Sequence, residues 1–135
     1  MLASSDIIAF VPTKDSAKAR AFYEGVLGLG FISDDGFALV FNANGIMIRV
    51  VKLQQFMPAQ YTIVGWQVRE IEKVVARLQE QGVHFERYGF FQQDELGIWT
   101  ALSGDKVASF KDPDGNTLSL SEFAVEQPSS RSLNC

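Results

Sequence analysis

Apolar and polar positions along this chain switch between two periods, and the switches mark out its elements. From Asp6 to Lys14 the apolar residues crowd into a short run, Ile7 to Val11, which suits a strand. Asp15 follows as an N-cap for a helix through about Leu27, whose apolar positions Ala19, Phe22, Tyr23 and Val26 share one face. Gly28 and Gly30 end it, because glycine accepts the left-handed conformation that closes helices. Strands are then predicted over about 29–33, 37–41 and 46–51, the first two joined through Asp34-Asp35-Gly36, a hairpin signal.

After residue 60 the same order begins again. A strand is predicted over 61–68, then a helix with Ile71, Val74, Val75 and Leu78 at spacing i, i+3, i+4, i+7 and Gly82 at its end. A strand over 83–88, a long loop, and a hairpin turning at Asp112-Pro113-Asp114-Gly115-Asn116 complete the unit. Ile8 matches Ile63 and Asp15 matches Glu70 at one common offset, which makes duplication the simplest account. The prediction is an α+β domain, residues 1–127, of two tandem βαβββ units at about 6–53 and 61–123, with a flexible tail at 128–135. Each unit leaves one face of its small sheet uncovered by its own helix. Two units must therefore pack together, in one chain or across a dimer, around a concave surface.

Composition narrows the function. The 135 residues are 47% apolar and 21% charged, ordinary for a globular domain. A net charge of −4 without a Lys/Arg cluster argues against a nucleic-acid partner. The one cysteine, Cys135, permits no intramolecular disulfide. The N-terminal apolar run is broken by Asp6, Pro12 and Lys14, as neither a signal peptide nor a membrane span would be, so a cytoplasmic protein without a membrane partner is expected.

The segments AKARAFYEGVLGLGF, GWQVREIEKVVARLQEQGVHF, QDELGIWT and FKDPDGNTLSLSE, together with the repeat, resemble the vicinal oxygen chelate superfamily of glyoxalases, bleomycin-resistance proteins and extradiol dioxygenases. The resemblance covers about Asp6 to Phe123 and implies a glyoxalase-like curved mixed sheet around a cavity, in a homodimer. Metal-dependent members place His or Gln on the first strand of each half and Glu on the last strand. Carried over residue by residue, the ligand positions fall on Ile8, Ile48, Ile63 and Ser119. Three aliphatic groups and a neutral hydroxyl cannot offset the desolvation of a divalent cation. A one-residue slip of a strand offers only Ile7 or Ala9, Thr62 or Val64, and Leu118 or Leu120. No metal and no cofactor are expected.

Alternation puts Phe10 on the cavity face with Ile8, and Ser109, Thr117, Ser119 and Ser121 on the cavity face of the last strands. Phe90, Phe91 and Trp99 are candidate walls, and the loop carboxylates Asp94 and Glu95 candidate polar contacts. His84, the single histidine, lies away from these positions and is expected to be structural. With no catalytic residue assigned, the expectation leans away from an enzyme and toward binding of a small organic molecule in an apolar cavity. The alternative is a lyase, isomerase or dioxygenase working through the loop carboxylates or an unrecognised metal site. A third class, an interaction module without ligand, requires large side chains to fill the cavity.

Overall fold

Asp15 does cap the first helix: its carboxylate accepts the Lys18 N–H at 3.1 Å. The computed structural model describes residues 1–125, so the end of the domain at 127 and the tail at 128–135 lie outside the described residues. The predicted helix exists in two geometries. It is α-helical as α1, Ser16–Arg20, and widens into a π turn over Ala21–Val26, with the Leu27 N–H donating to the Phe22 carbonyl five residues back. Adjacent Phe22 and Tyr23 both pack inward from it, edge to face at 5.3 Å.

Strand β1, Ile8–Thr13, precedes α1; β2, Gly30–Asp34, β3, Ala38–Ala43, and β4, Ile46–Lys52, follow it. They form a sheet in the order β1-β4-β3-β2, with β1 and β4 parallel and the other pairs antiparallel. The second half repeats the plan with β5, Thr62–Gln67, α2, Ile71–Glu80, β6, Trp99–Thr100, β7, Lys106–Lys111, and β8, Thr117–Glu122, ordered β5-β8-β7-β6. Helix α2 buries Ile71, Val75 and Leu78, and its N-terminus is capped from afar by Glu122, whose Oε1 accepts the Ile71 N–H at 2.8 Å.

One strand differs from the prediction. Residues 83–88 form no strand: Phe85 makes a single bridge to Phe110, and the Glu86 N–H donates to the Ser109 carbonyl. The outer edge of β7 is shared, its far end pairing with β6 through Trp99–Val107 and Thr100–Lys106. Two segments divide one six-residue edge, so neither grows long.

Both sheets turn one face toward the helices, and the residues there merge into one cluster that includes Val11, Tyr23, Phe41, Val50, Val75, Phe110 and Leu118. The Asp112–Asn116 turn ties the halves together. Asp112, buried, accepts the Tyr23 hydroxyl at 2.6 Å and the Asn116 side-chain amide at 2.8 Å, and it also caps the backbone N–H groups of Asp114 and Asn116. Asn116 in turn donates to the Pro12 carbonyl, and Asp114 accepts the Thr13 hydroxyl and the Lys14 N–H. The turn therefore does more than reverse the chain, because it locks β8 to the end of β1.

Candidate ligand-binding face

Strand alternation decides which residues meet. On the second sheet, the face turned away from the helices is a grid read from the pairing register. One row crosses Trp99, Val107, Ser121 and Gln67; the next crosses Ser109, Ser119 and Gly65; a third crosses Lys111, Thr117 and Thr62. The middle row carries the smallest side chains, so the grid is hollow at its centre. Gly65 is there for space: a Cβ at that position would sit 3.1 Å from the Ser119 hydroxyl oxygen and 3.8 Å from Thr62 Cγ2. The structure thus brings Ser109, Thr117, Ser119 and Ser121 to one face, as alternation predicted, and sets Trp99, a candidate wall, beside them.

Ile63 does not join them. A bulge between Thr62 and Val64 takes it out of the ladder, and it packs against the core, leaving Thr62 and Gly65 to fill its expected place. A bulge has no signature in a run such as Thr62-Ile63-Val64, which is why alternation alone misplaced it.

On the first sheet Ile8 and Phe10 share the outer face, 45% and 62% exposed. Ile48 does not. Its partners are Ala9 and Phe41, on the helix-bearing face, where it is 3% exposed. The β4 residues that stand with Ile8 and Phe10 are Met47 and Arg49, their register partners. Counting alternation from Phe10 across a parallel pair, rather than from sequence alignment, would have found them. Arg49 forms an ion pair with Asp35, and this guanidinium, with the backbone N–H groups of Ala38 and Phe37, holds the Asp35 carboxyl down to about 2.

The long loop builds a wall beside the second sheet. Phe91 lies 4.7 Å from Trp99 and 4.5 Å from Phe90, centroid to centroid, and Tyr88 closes the cluster against both phenylalanines. Gln93 clips the loop: its side chain accepts the Tyr88 N–H at 2.6 Å and donates to the Glu86 and Gly97 carbonyls. Asp94, a predicted polar contact, is committed to the loop itself, one oxygen accepting the Leu96 and Ile98 N–H groups at 2.9 Å. Glu95 is exposed, and its carbonyl accepts a bond from Arg87. His84, also exposed, lines a concavity with Phe22 and Val26 on the helix side. A wider groove of about 470 Å³ between the π turn and α2 contains Arg69, Lys73 and Arg77 and none of the predicted site residues.

The donors present do not fit a divalent metal. The outer faces offer apolar groups, a paired guanidinium, the Lys111 ammonium, neutral hydroxyls and a single amide, Gln67, and among the described residues no group of three or more His, Cys, Asp or Glu could hold an ion. Among the same residues no helix is long and apolar enough to cross a membrane.

Comparison with known proteins agrees with this architecture. The model of the Glyoxalase/Bleomycin resistance protein/Dioxygenase superfamily matches residues 6–120. Similar solved structures include a member of that superfamily from Sphaerobacter thermophilus DSM 20745, 22% identical, covering 90% of this chain and 99% of the other with a TM-score of 0.71. Another, from Alicyclobacillus acidocaldarius, is 14% identical over 91% and 94% of the two chains, TM-score 0.69. A lactoylglutathione lyase from Agrobacterium tumefaciens is 17% identical over 88% and 93%, TM-score 0.68. No curated protein matches. The two βαβββ units, the turn that locks them and the matched span place this chain in the Glyoxalase/Bleomycin resistance protein/Dioxygenase superfamily.

Proposed function

We propose that this protein binds a small organic molecule, without metal or cofactor, in a pocket formed when two copies bring the outer faces of their sheets together. The observation that carries the reading is the chemistry of those faces. Ile8, Phe10 and, at 37% exposure, Met47 present apolar surface on one sheet; a hollow of hydroxyls beside an aromatic wall occupies the other. Such a mixture of apolar walls and a few polar fixings suits a small guest, whereas it offers no metal-polarised centre.

Homodimerisation follows from the same faces. The helix-bearing faces already share one core, and with the described residues alone Ile8 and Phe10 stay well exposed. Full burial of such a side chain from water is worth roughly 1.5–3 kcal/mol, and completing the burial of Ile8 and Phe10 draws on the part still exposed, a drive toward a second copy. The cytoplasm suits this reading, since the lone Cys135 can form no intramolecular disulfide.

The neutral apolar dye Nile red tests the pocket. Its fluorescence is expected to rise saturably with the wild-type protein and to do so much less with Phe10→Asp. A linear, unsaturable response equal in both proteins would reject an enclosed apolar site.

A further inference from the structure

The Ser119 side chain is almost enclosed, at 6% exposure, yet among the described residues its hydroxyl makes no hydrogen bond. Among those residues no buried side-chain polar atom lacks a partner, so this hydroxyl reaches the open hollow. The hydroxyls of Ser109, its cross-strand neighbour, and of Ser121 likewise make no hydrogen bond to a described residue. Hydroxyls directly opposite each other on one face of an antiparallel pair stem from Cβ atoms about 4.5–5.5 Å apart. Both hydroxyls open on the same hollow, where each can donate to one oxygen of a planar group.

The rows on either side give that group its charge and its body. Lys111, diagonal to Ser119 on the same face, has its ammonium held at 2.8 Å from the Thr117 hydroxyl, which uses one of its three N–H donors. On the other side stands Trp99, its ring already against Phe91. We propose that the hollow takes a planar aromatic carboxylate, its two oxygens accepting hydrogen bonds from Ser109, Ser119 and Lys111 and its ring lying along Trp99. This rests on the binding reading above and adds the class of guest.

One group opposes the assignment. Glu86, whose N–H bonds the Ser109 carbonyl, stands at the outer end of the serine row and would favour a cation instead. The experiment therefore compares three probes of one shape, 2-naphthoate, 2-naphthalenemethanol and 2-naphthylmethylamine, by calorimetric titration of the full chain at neutral pH.

The inference expects 2-naphthoate to bind at least about tenfold more tightly than either analogue, the gap that hydrogen bonds to a charged acceptor supply. Ser119→Ala and Lys111→Met should each weaken naphthoate about tenfold and leave the alcohol within about twofold. Gly65→Ala, whose methyl group would crowd the Ser119 hydroxyl, should reproduce the Ser119→Ala effect in a protein that still melts cooperatively. Equal affinity for all three probes, preference for the amine, or unchanged naphthoate affinity in Ser119→Ala would overturn it. Saturable Nile red binding in the same preparation would then show that the pocket exists and only the guest class is wrong; failure of both would reject the pocket as well.

Discussion

The hydroxyl of Tyr23 donates to the carboxylate of Asp112 at 2.6 Å across 89 residues of sequence, joining the helix of one repeat to the turn of the other inside the shared core. Removing either partner leaves the other buried and short of a bond, which costs about 1–3 kcal/mol for a neutral group and more for a charge. Tyr23→Phe should lower the melting temperature by several degrees. Asp112→Ala should cost more than Tyr23→Phe, because it also strips the caps from the Asp114 and Asn116 N–H groups. Thermal melts of the two variants check the order.

The same pair makes alkaline stability measurable. Burial, the Asp112 charge and the hydrogen bond to it push the Tyr23 phenol far above its ordinary value of 10.0. In the unfolded chain the phenol ionises near 10, while in the fold it keeps its proton. Unfolded chains then bind fewer protons than folded ones, so stability is fully present below pH 10 and falls as pH rises beyond it. Urea melts between pH 9 and 11 should show that decline in the wild-type protein and a shallower one in Tyr23→Phe.

Acid acts at the other end of the first sheet. With its folded value near 2 against an ordinary 3.8, Asp35 contributes stability that is present above about pH 4 and lost as pH falls toward 2. Asp35→Asn should flatten the acid limb of the melting-temperature profile between pH 4 and 2. An unchanged limb would show that the Arg49 pair does not hold in solution.

Gln93 links three backbone positions of the long loop through one side chain. Gln93→Ala should loosen residues 88–98 while sparing the core, since the sheet ladders do not depend on it. Hydrogen exchange is expected to speed up in that segment alone, and the emission of Trp99, read in a Trp66→Phe background, should shift to the red as Phe91 moves away.

Interface chemistry gives a fifth prediction. Phe10→Asp places a charge on the surface proposed to meet a second copy. Sedimentation equilibrium should find twice the chain mass for the wild-type protein and the single-chain mass for the variant.

Much of this was legible in the residues. The duplication showed because Ile8 and Ile63, and Asp15 and Glu70, match at one common offset within the same order of elements, and Ser109, Thr117, Ser119 and Ser121 reached one face because β7 and β8 run without interruption. Alternation failed where the backbone departs from it: the bulge at Ile63 breaks the period, and the parity of Ile48 is fixed by its partner Ala9, not by its own segment. The π turn after Arg20 carries Tyr23 to Asp112 in the other half, and the sharing of the β7 edge by residues 85–86 and 99–100 is a pairing between segments distant in sequence; a local pattern carries neither. Asp94 looked like a ligand contact because an acidic loop residue has the same letter whether it faces a guest or caps its own turn.

The central claim is that the hydroxyl row around Ser119, rather than a metal, receives the guest. Elemental analysis tests it most directly: untagged protein is supplied with zinc, nickel, manganese and iron(II), dialysed free of excess, and measured. Only traces of metal, well below one ion per chain, are predicted; one ion retained per chain would contradict the account.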